Sequence, residues 1–126
     1  MNKNFGKIVW QDLTVNNAEQ LRDFYLKVIG WESESLSMGD YDDFIMKNPV
    51  SEDAIAGICH AKGSNEGLPT QWLLYIQVED VEKSSKSCLE NGGKLLTEIR
   101  SMGNYHFCVI QDPAGAVCAI CSEVIE

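Results

Sequence analysis

This chain of 126 residues predicts an α+β fold made of two tandem copies of one unit. Three observations carry that prediction. Val15 and Val78 stand 63 positions apart, and the pairs Gly30/Gly93 and Phe44/Phe107 keep the same spacing. A repeat near half the chain length marks a duplicated supersecondary unit. Each half also reads as strand, helix, then three strands. Finally, residues 61–69 hold two glycines and one proline without periodicity, the composition of a linker. The expected organisation is one domain, 1–126, with a first module at about 6–61, a linker at 62–70 and a second module at about 71–123. In a duplicated fold, the space between the copies is where function is sought.

The elements follow from local pattern. Residues 8–15 alternate as a strand. Asn16 or Asn17 can cap the next helix, and Glu19 stands in a capping-box-like place after Asn16. Leu21, Phe24, Tyr25 and Val28 form one helical apolar stripe, which Gly30 ends. Strands are predicted at 32–38, 41–47 and 54–60, with turns at Gly39-Asp40 and Asn48-Pro49. The second copy opens with a strand at 71–78. Asp80 can cap a helix running to about Asn91, whose inward positions include Val81, Cys88 and Leu89. Gly92-Gly93 ends it, and strands follow at 94–100, 105–111 and 116–122.

Composition narrows the function. Hydrophobic residues are 44% and charged residues 23%, ordinary for a globular protein. The net charge of −9 repels phosphate backbones, so no nucleic-acid partner is expected. No apolar run reaches the roughly 18 residues of a membrane span, and no charged-then-apolar leader is seen. Membrane association is therefore not expected. The odd count of five cysteines points to reduced thiols and a cytoplasmic location. Cys118 and Cys121 have C-x-x-C spacing, but in a strand-like run where positions three apart face opposite ways. Redox pairs usually sit where a helix begins. No zinc-type Cys/His pairing, G-x-S-x-G, phosphate loop or dinucleotide fingerprint occurs, so no cofactor is expected.

Asp12-Leu13-x-Val15 and Phe24-Tyr25-x-x-Val28-x-Gly30-Trp31 are matched in the second half by Val78-Glu79-Asp80-Val81, Gly92-Gly93-Lys94 and Gln111-Asp112-Pro113-x-Gly115. This order and duplication resembles the vicinal oxygen chelate superfamily of glyoxalase I, bleomycin-resistance proteins and extradiol dioxygenases. The resemblance covers nearly the whole chain. It implies two βαβββ modules whose curved mixed sheets surround a cleft holding a metal or small ligand, and a homodimer. By alternation, Trp10, Asp12 and Thr14 would face the cleft from the first strand, as would Leu73, Tyr75 and Gln77 from the fifth. Val9, Leu13 and Val15 would pack on the helix, as would Trp72, Leu74, Ile76 and Val78; Gln11 fits that packed face poorly.

Metal-dependent members of the superfamily place His, Glu or Gln at four cleft positions. Carried over, these are Trp10, Leu73, Ala119 and a place near Gly57 or Ile58. Indole, isobutyl and methyl groups offer a metal no lone pair, so no metal site is expected. What remains are aromatic and polar candidates for ligand contact: Trp10, Asp12, Thr14, Phe44, His60, Tyr75, Gln77, Tyr105 and Gln111. Trp10 and Tyr75 could stack on a ring or cation, or simply fill the interior. Asp12 could hold a ligand amine or a proton, or make a structural hydrogen bond. His60 could act as a base only within reach of a substrate proton. Three functions stay open: a metal-free binder of a small organic molecule; a lyase, isomerase or dioxygenase with an unrecognised metal site or none; and an interaction module with a filled cleft.

Overall fold

The structure is a computed structural model describing residues 3–123. Among them are two helices and nine strands, an α+β arrangement. The chain forms two compact units, residues 11–72 and residues up to 10 together with those from 73 onward.

The first unit takes residues 11–15 of β1 (Ile8–Val15), then α1 (Ala18–Val28), β2 (Glu32–Ser37), β3 (Asp42–Lys47) and β4 (Ala54–His60). Its strands run in the order β2-β3-β4-β1, with β1 parallel to β4 and the other neighbours antiparallel. One face is packed: Leu13, Val15, Ala18, Phe44, Met46, Ala56 and Ile58 form the core, joined by Leu21, Tyr25 and Trp31. Trp72 joins this core instead of the second helix, and its indole N–H donates to the Tyr25 hydroxyl at 3.1 Å. Gln11 fits the packed face because its side-chain amide donates to the Ile55 carbonyl, satisfying the polar group there.

Helix α1 departs from its predicted face. Its inward line includes Ala18, Leu21 and Tyr25, while Phe24 and Val28 are 52% and 63% exposed. The stripe read from sequence is rotated outward, since apolar residues occupy more of this helix than its sheet covers. The capping box does not form either. Asn17 precedes the helix without a side-chain capping bond, and Glu19 turns to His60.

The second unit contains β5 (Trp72–Gln77) from Leu73 onward, α2 (Val81–Glu90), β6 (Lys94–Leu95), β7 (Arg100–Met102), β8 (Tyr105–Gln111) and β9 (Val117–Glu123). The order is β5-β9-β8-β6, with β7 also on β8 and β5 parallel to β9. The chain just before β1 flanks β5: Gly6 N–H donates to the Gln77 carbonyl at 2.7 Å, and Gln77 N–H to the Lys7 carbonyl at 2.9 Å. Val81, Cys108 and Ile120 are the core under α2, with Val78, Leu95 and Ile110 packed against them. Asp80 caps α2 as its sequence position predicts, accepting from the N–H groups of Glu82 and Lys83.

One predicted strand, 94–100, is two. Leu96 and Thr97 both donate backbone N–H to the Val109 carbonyl, and the Thr97 hydroxyl accepts Val109 N–H at 3.0 Å. Residues 96–99 thus face only residues 108 and 109 of β8, a bulge that interrupts the ladder.

The repeat also changes step within the helices. Helix α1 has 11 residues and α2 has 10, so equivalent positions beyond them are 62 apart. The glycine that matches Gly30, at φ 90°, is Gly92, at φ 89°, not Gly93. Ile58 packs under α1 as Ile120 packs under α2. Phe44 and Phe107 are not equivalent: Phe44 lies in the α1 core, whereas Phe107 is on the face turned from α2, beside Tyr75. A slip of one residue turns a strand's side chains to the opposite face.

Candidate functional site

The face of the second unit turned from α2 gathers four of the predicted residues: Tyr75, Gln77, Tyr105 and Gln111. Direct cross-strand partners point the same way from a sheet. Gln77 pairs with Cys121, Cys121 with Phe107, and Phe107 with Arg100, so these four side chains form one row across β5, β9, β8 and β7. The next row is Tyr75, Ala119 and Val109. The Tyr75 and Phe107 rings are 5.9 Å apart, and the Arg100 guanidinium lies 4.8 Å from the Phe107 ring centre. Gln77 is 1% exposed, and its side-chain oxygen has no hydrogen-bond partner among the described residues. An orphaned buried acceptor costs about 1–3 kcal/mol, so its retention needs an explanation.

Tyr105 and Gln111 lie at opposite ends of β8 on the same face. Tyr105 is paired with Glu123, and its hydroxyl pKa is raised first by burial, then by the Glu123 carboxylate. The Gln111 amide donates to the Gly115 carbonyl at 3.2 Å and serves the following turn.

In the first unit, Asp12 and Thr14 lie beside Gly57 and Cys59 of β4. Thr14 is buried and Asp12 half-buried, and both belong to the face away from the packed core. Trp10, just before this unit begins, is half-buried.

Phe44 and His60 are turned elsewhere than the sequence suggests. Phe44 sits in the α1 core with the Arg22 guanidinium 4.5 Å from its ring centre. His60 is 4% exposed and bridges two carboxylates, Nδ1 to Asp43 at 3.3 Å and Nε2 to both Glu19 oxygens at 3.1 Å. The Asp43 carboxylate also accepts His60 backbone N–H at 2.8 Å. The Glu19 carboxyl pKa is lowered, first by its own backbone N–H at the helix start and then by the His60 hydrogen bond. His60 thus fastens α1 to β3 and β4, consistent with its place on the helix side of the sheet.

The metal positions implied by the resemblance can be tested one at a time. Leu73 and Ala119 are 1% and 0% exposed, and carry only hydrocarbon. Tyr75 pairs with Ala119 as Asp12 pairs with Gly57, which makes Gly57 the fourth place; it has no side chain. The Trp10 indole N–H is a donor without a lone pair. Among the described residues, no three His, Cys, Asp or Glu side chains are grouped to hold a metal. These positions do not fit a divalent cation. None of the five cysteines forms a disulfide, and burial pushes Cys108 up to about 11 and raises Cys118 and Cys121, opposite to what redox thiols need.

Phe107 and Arg100 of this face are not among the candidates the sequence offers: its pattern marks Phe107 only as a repeat of Phe44 and puts Arg100 in one unbroken strand.

The match of a family model now joins this geometry: residues 7–120 match that of the Glyoxalase/Bleomycin resistance protein/Dioxygenase superfamily. The chain belongs to this superfamily. A protein of Mycobacterium bovis named "Putative glyoxylase CFP32" is 26% identical over 119 residues, which are 91% of this chain and 43% of the relative. The chain therefore spans less than half the length of the curated relatives it matches. A superfamily member from Vibrio splendidus 12B01 matches with a TM-score of 0.60 at 15% identity, over 90% of this chain and 97% of that one. A methylmalonyl-CoA epimerase, solved with methylmalonyl-CoA and NH4+, matches with a TM-score of 0.60 at 12% identity, over 94% and 95% of the two chains. At such identities the likeness to solved structures is one of fold. A shared fold does not fix function, which resides in the particular side chains of a site.

Proposed function

We propose that this superfamily member is a metal-free binder of a small organic molecule, and that the binding face is the one turned from α2, centred on Tyr75, Gln77 and Phe107. The Gln77 oxygen carries the reading: it is buried, lacks a partner among the described residues and lies in register with Cys121 and Phe107, next to Tyr75. A ligand N–H or O–H would satisfy it, while Tyr75 and Phe107 supply flat apolar surface. The absence of lone pairs at Trp10, Leu73, Gly57 and Ala119 supports the metal-free part. Asp12 and Thr14 keep the role of further polar contacts. That the epimerase neighbour was solved with a CoA ester agrees with small-molecule binding on this scaffold.

Cysteines without disulfides support a reducing, cytoplasmic setting, and no helix among the described residues is long and apolar enough to cross a membrane. A homodimer belongs to the same reading, as does the division into modules at about 6–61 and 71–123.

Screening chelator-washed protein against a small-molecule library by ligand-observed NMR tests the proposal. Hits are expected to shift the Gln77 side-chain amide and the Tyr75 ring. Binding that appears only after a divalent metal is restored contradicts it, and so does an absence of hits.

A further inference from the structure

From this face we infer the charge class of the ligand: an organic anion, with its carboxylate directed at Arg100, its body over Phe107 and Cys121, and a hydrogen-bond donor directed at Gln77. The inference rests on the binding reading above and goes beyond it in naming what is bound.

Three observations support it. The cross-strand row places a buried acceptor at one end and a guanidinium at the other, with Phe107 and Cys121 between them. Strands are about 4.8 Å apart, so the row spans roughly 14 Å at the backbone, a length suited to a small elongated molecule. Arg100 extends over the Phe107 ring, which brings its charge in toward the middle of the row. A guanidinium can lie against an aromatic ring and still present its edge N–H groups to a carboxylate.

The charges around the row give the ends opposite characters. Arg100 pairs directly with Phe107, and Lys94 pairs with Gln111 on the same face. Among the described residues, the acidic residue of this face is Glu123, beside Tyr105 in the flanking row. The chain carries a net charge of −9, which repels anions at long range, so two cations on the aromatic face create a local exception. At the Gln77 end, β5 and β9 contribute Tyr75, Ala119 and Cys121, none of them cationic. The buried Cys121 thiol has its pKa raised by burial, which keeps it neutral and adds no competing negative charge.

Three probes of similar shape separate this inference from the binding reading: phenylacetate, phenylacetamide and phenethylamine. Each is titrated into the full chain while aromatic and side-chain amide NMR signals of Tyr75, Phe107 and Gln77 are followed. Phenylacetate is expected to bind about tenfold more tightly than phenylacetamide, the difference made by one charge-assisted hydrogen bond of ordinary strength. Phenethylamine is expected to bind weakest. Arg100→Gln should remove the preference for the anion, bringing phenylacetate and phenylacetamide to equal affinity, and Arg100→Lys should retain part of it. Circular dichroism confirms that both variants fold. Equal binding of the anion and the amide, or tighter binding of the amine, overturns the charge class and leaves the binding face standing. Signal shifts confined to residues outside the row, or none for any probe up to its solubility limit, overturn both.

Discussion

The last strands of the two modules end in the same way and by different chemistry. At the end of β4, His60 reaches the first turn of α1 through the Glu19 carboxylate. At the end of β9, the Ser122 hydroxyl accepts the Val81 N–H, the first residue of α2, at 3.2 Å. Both residues sit on the helix face, and each ties the start of its helix to the sheet. The opposite faces have diverged further. Beside Asp12 and Thr14 the first module places Gly57 and Cys59, whereas beside Tyr75 and Gln77 the second places Ala119 and Cys121, with Phe107 next in the row. Helix faces are held to one task by packing. The faces turned from the helices differ in content between the modules, and the proposed ligand chemistry is placed there.

The largest expected effect tests the change of step in the repeat. If Ile58 and Ile120 are equivalents, each replaced by Ala should lose about 2–5 kcal/mol in urea unfolding. Cys121→Ala should lose about 1 kcal/mol or less, because a smaller group is removed from the other face. A Cys121 cost equal to that of Ile58 would restore the spacing of 63.

The glycine doublet gives the next effect. A Cβ on Gly93 would lie 2.5 Å from the Cys88 sulfur and 2.9 Å from the Gln111 carbonyl oxygen. Gly93→Ala should therefore cost about 1–3 kcal/mol through overpacking. Gly30→Ala and Gly92→Ala should each cost about 1–2 kcal/mol through left-handed backbone strain, and by similar amounts. Urea midpoints of the three variants make the comparison.

Ser122→Ala leaves the buried N–H of Val81 without its partner and should cost about 1–2 kcal/mol. The matching tie in the first module is pH-dependent and smaller. Glutamate ionises near 4.5 when unfolded, and Glu19 lower than this when folded. Its contribution is therefore complete above that value and fades as pH falls through the folded value. Thermal melts should show Glu19→Gln less stable than wild type at neutral pH, with the gap closing in acid. A gap that is constant with pH would remove the Glu19 part of the tie.

The sequence announced the duplication, the two helices and most strands, because hydrophobic alternation and turn residues are local signals. The one-residue difference between α1 and α2 was hidden by Gly92-Gly93, which offers two glycines for one helix stop. Choosing Gly93 made Phe44 and Phe107 look alike, although they face opposite ways. The split of 94–100 was hidden because a bulge depends on the partner strand, here on Val109 meeting two donors. Of the polar candidates, Tyr75 and Gln77 were legible from strand alternation alone. His60 was not, since only the meeting of α1, β3 and β4 shows it between Glu19 and Asp43. The orphaned Gln77 oxygen is a fact of packing and has no sequence signature.

Under the proposed function, a ligand-binding face stands where a metal site would be. Elemental analysis by plasma mass spectrometry, on protein expressed with Zn, Ni, Fe and Mn supplied and then washed with chelator, tests it most directly. Far less than one metal ion per chain is expected, with organic-ligand binding unchanged by the wash. One firmly retained ion per chain, needed for that binding, would contradict it.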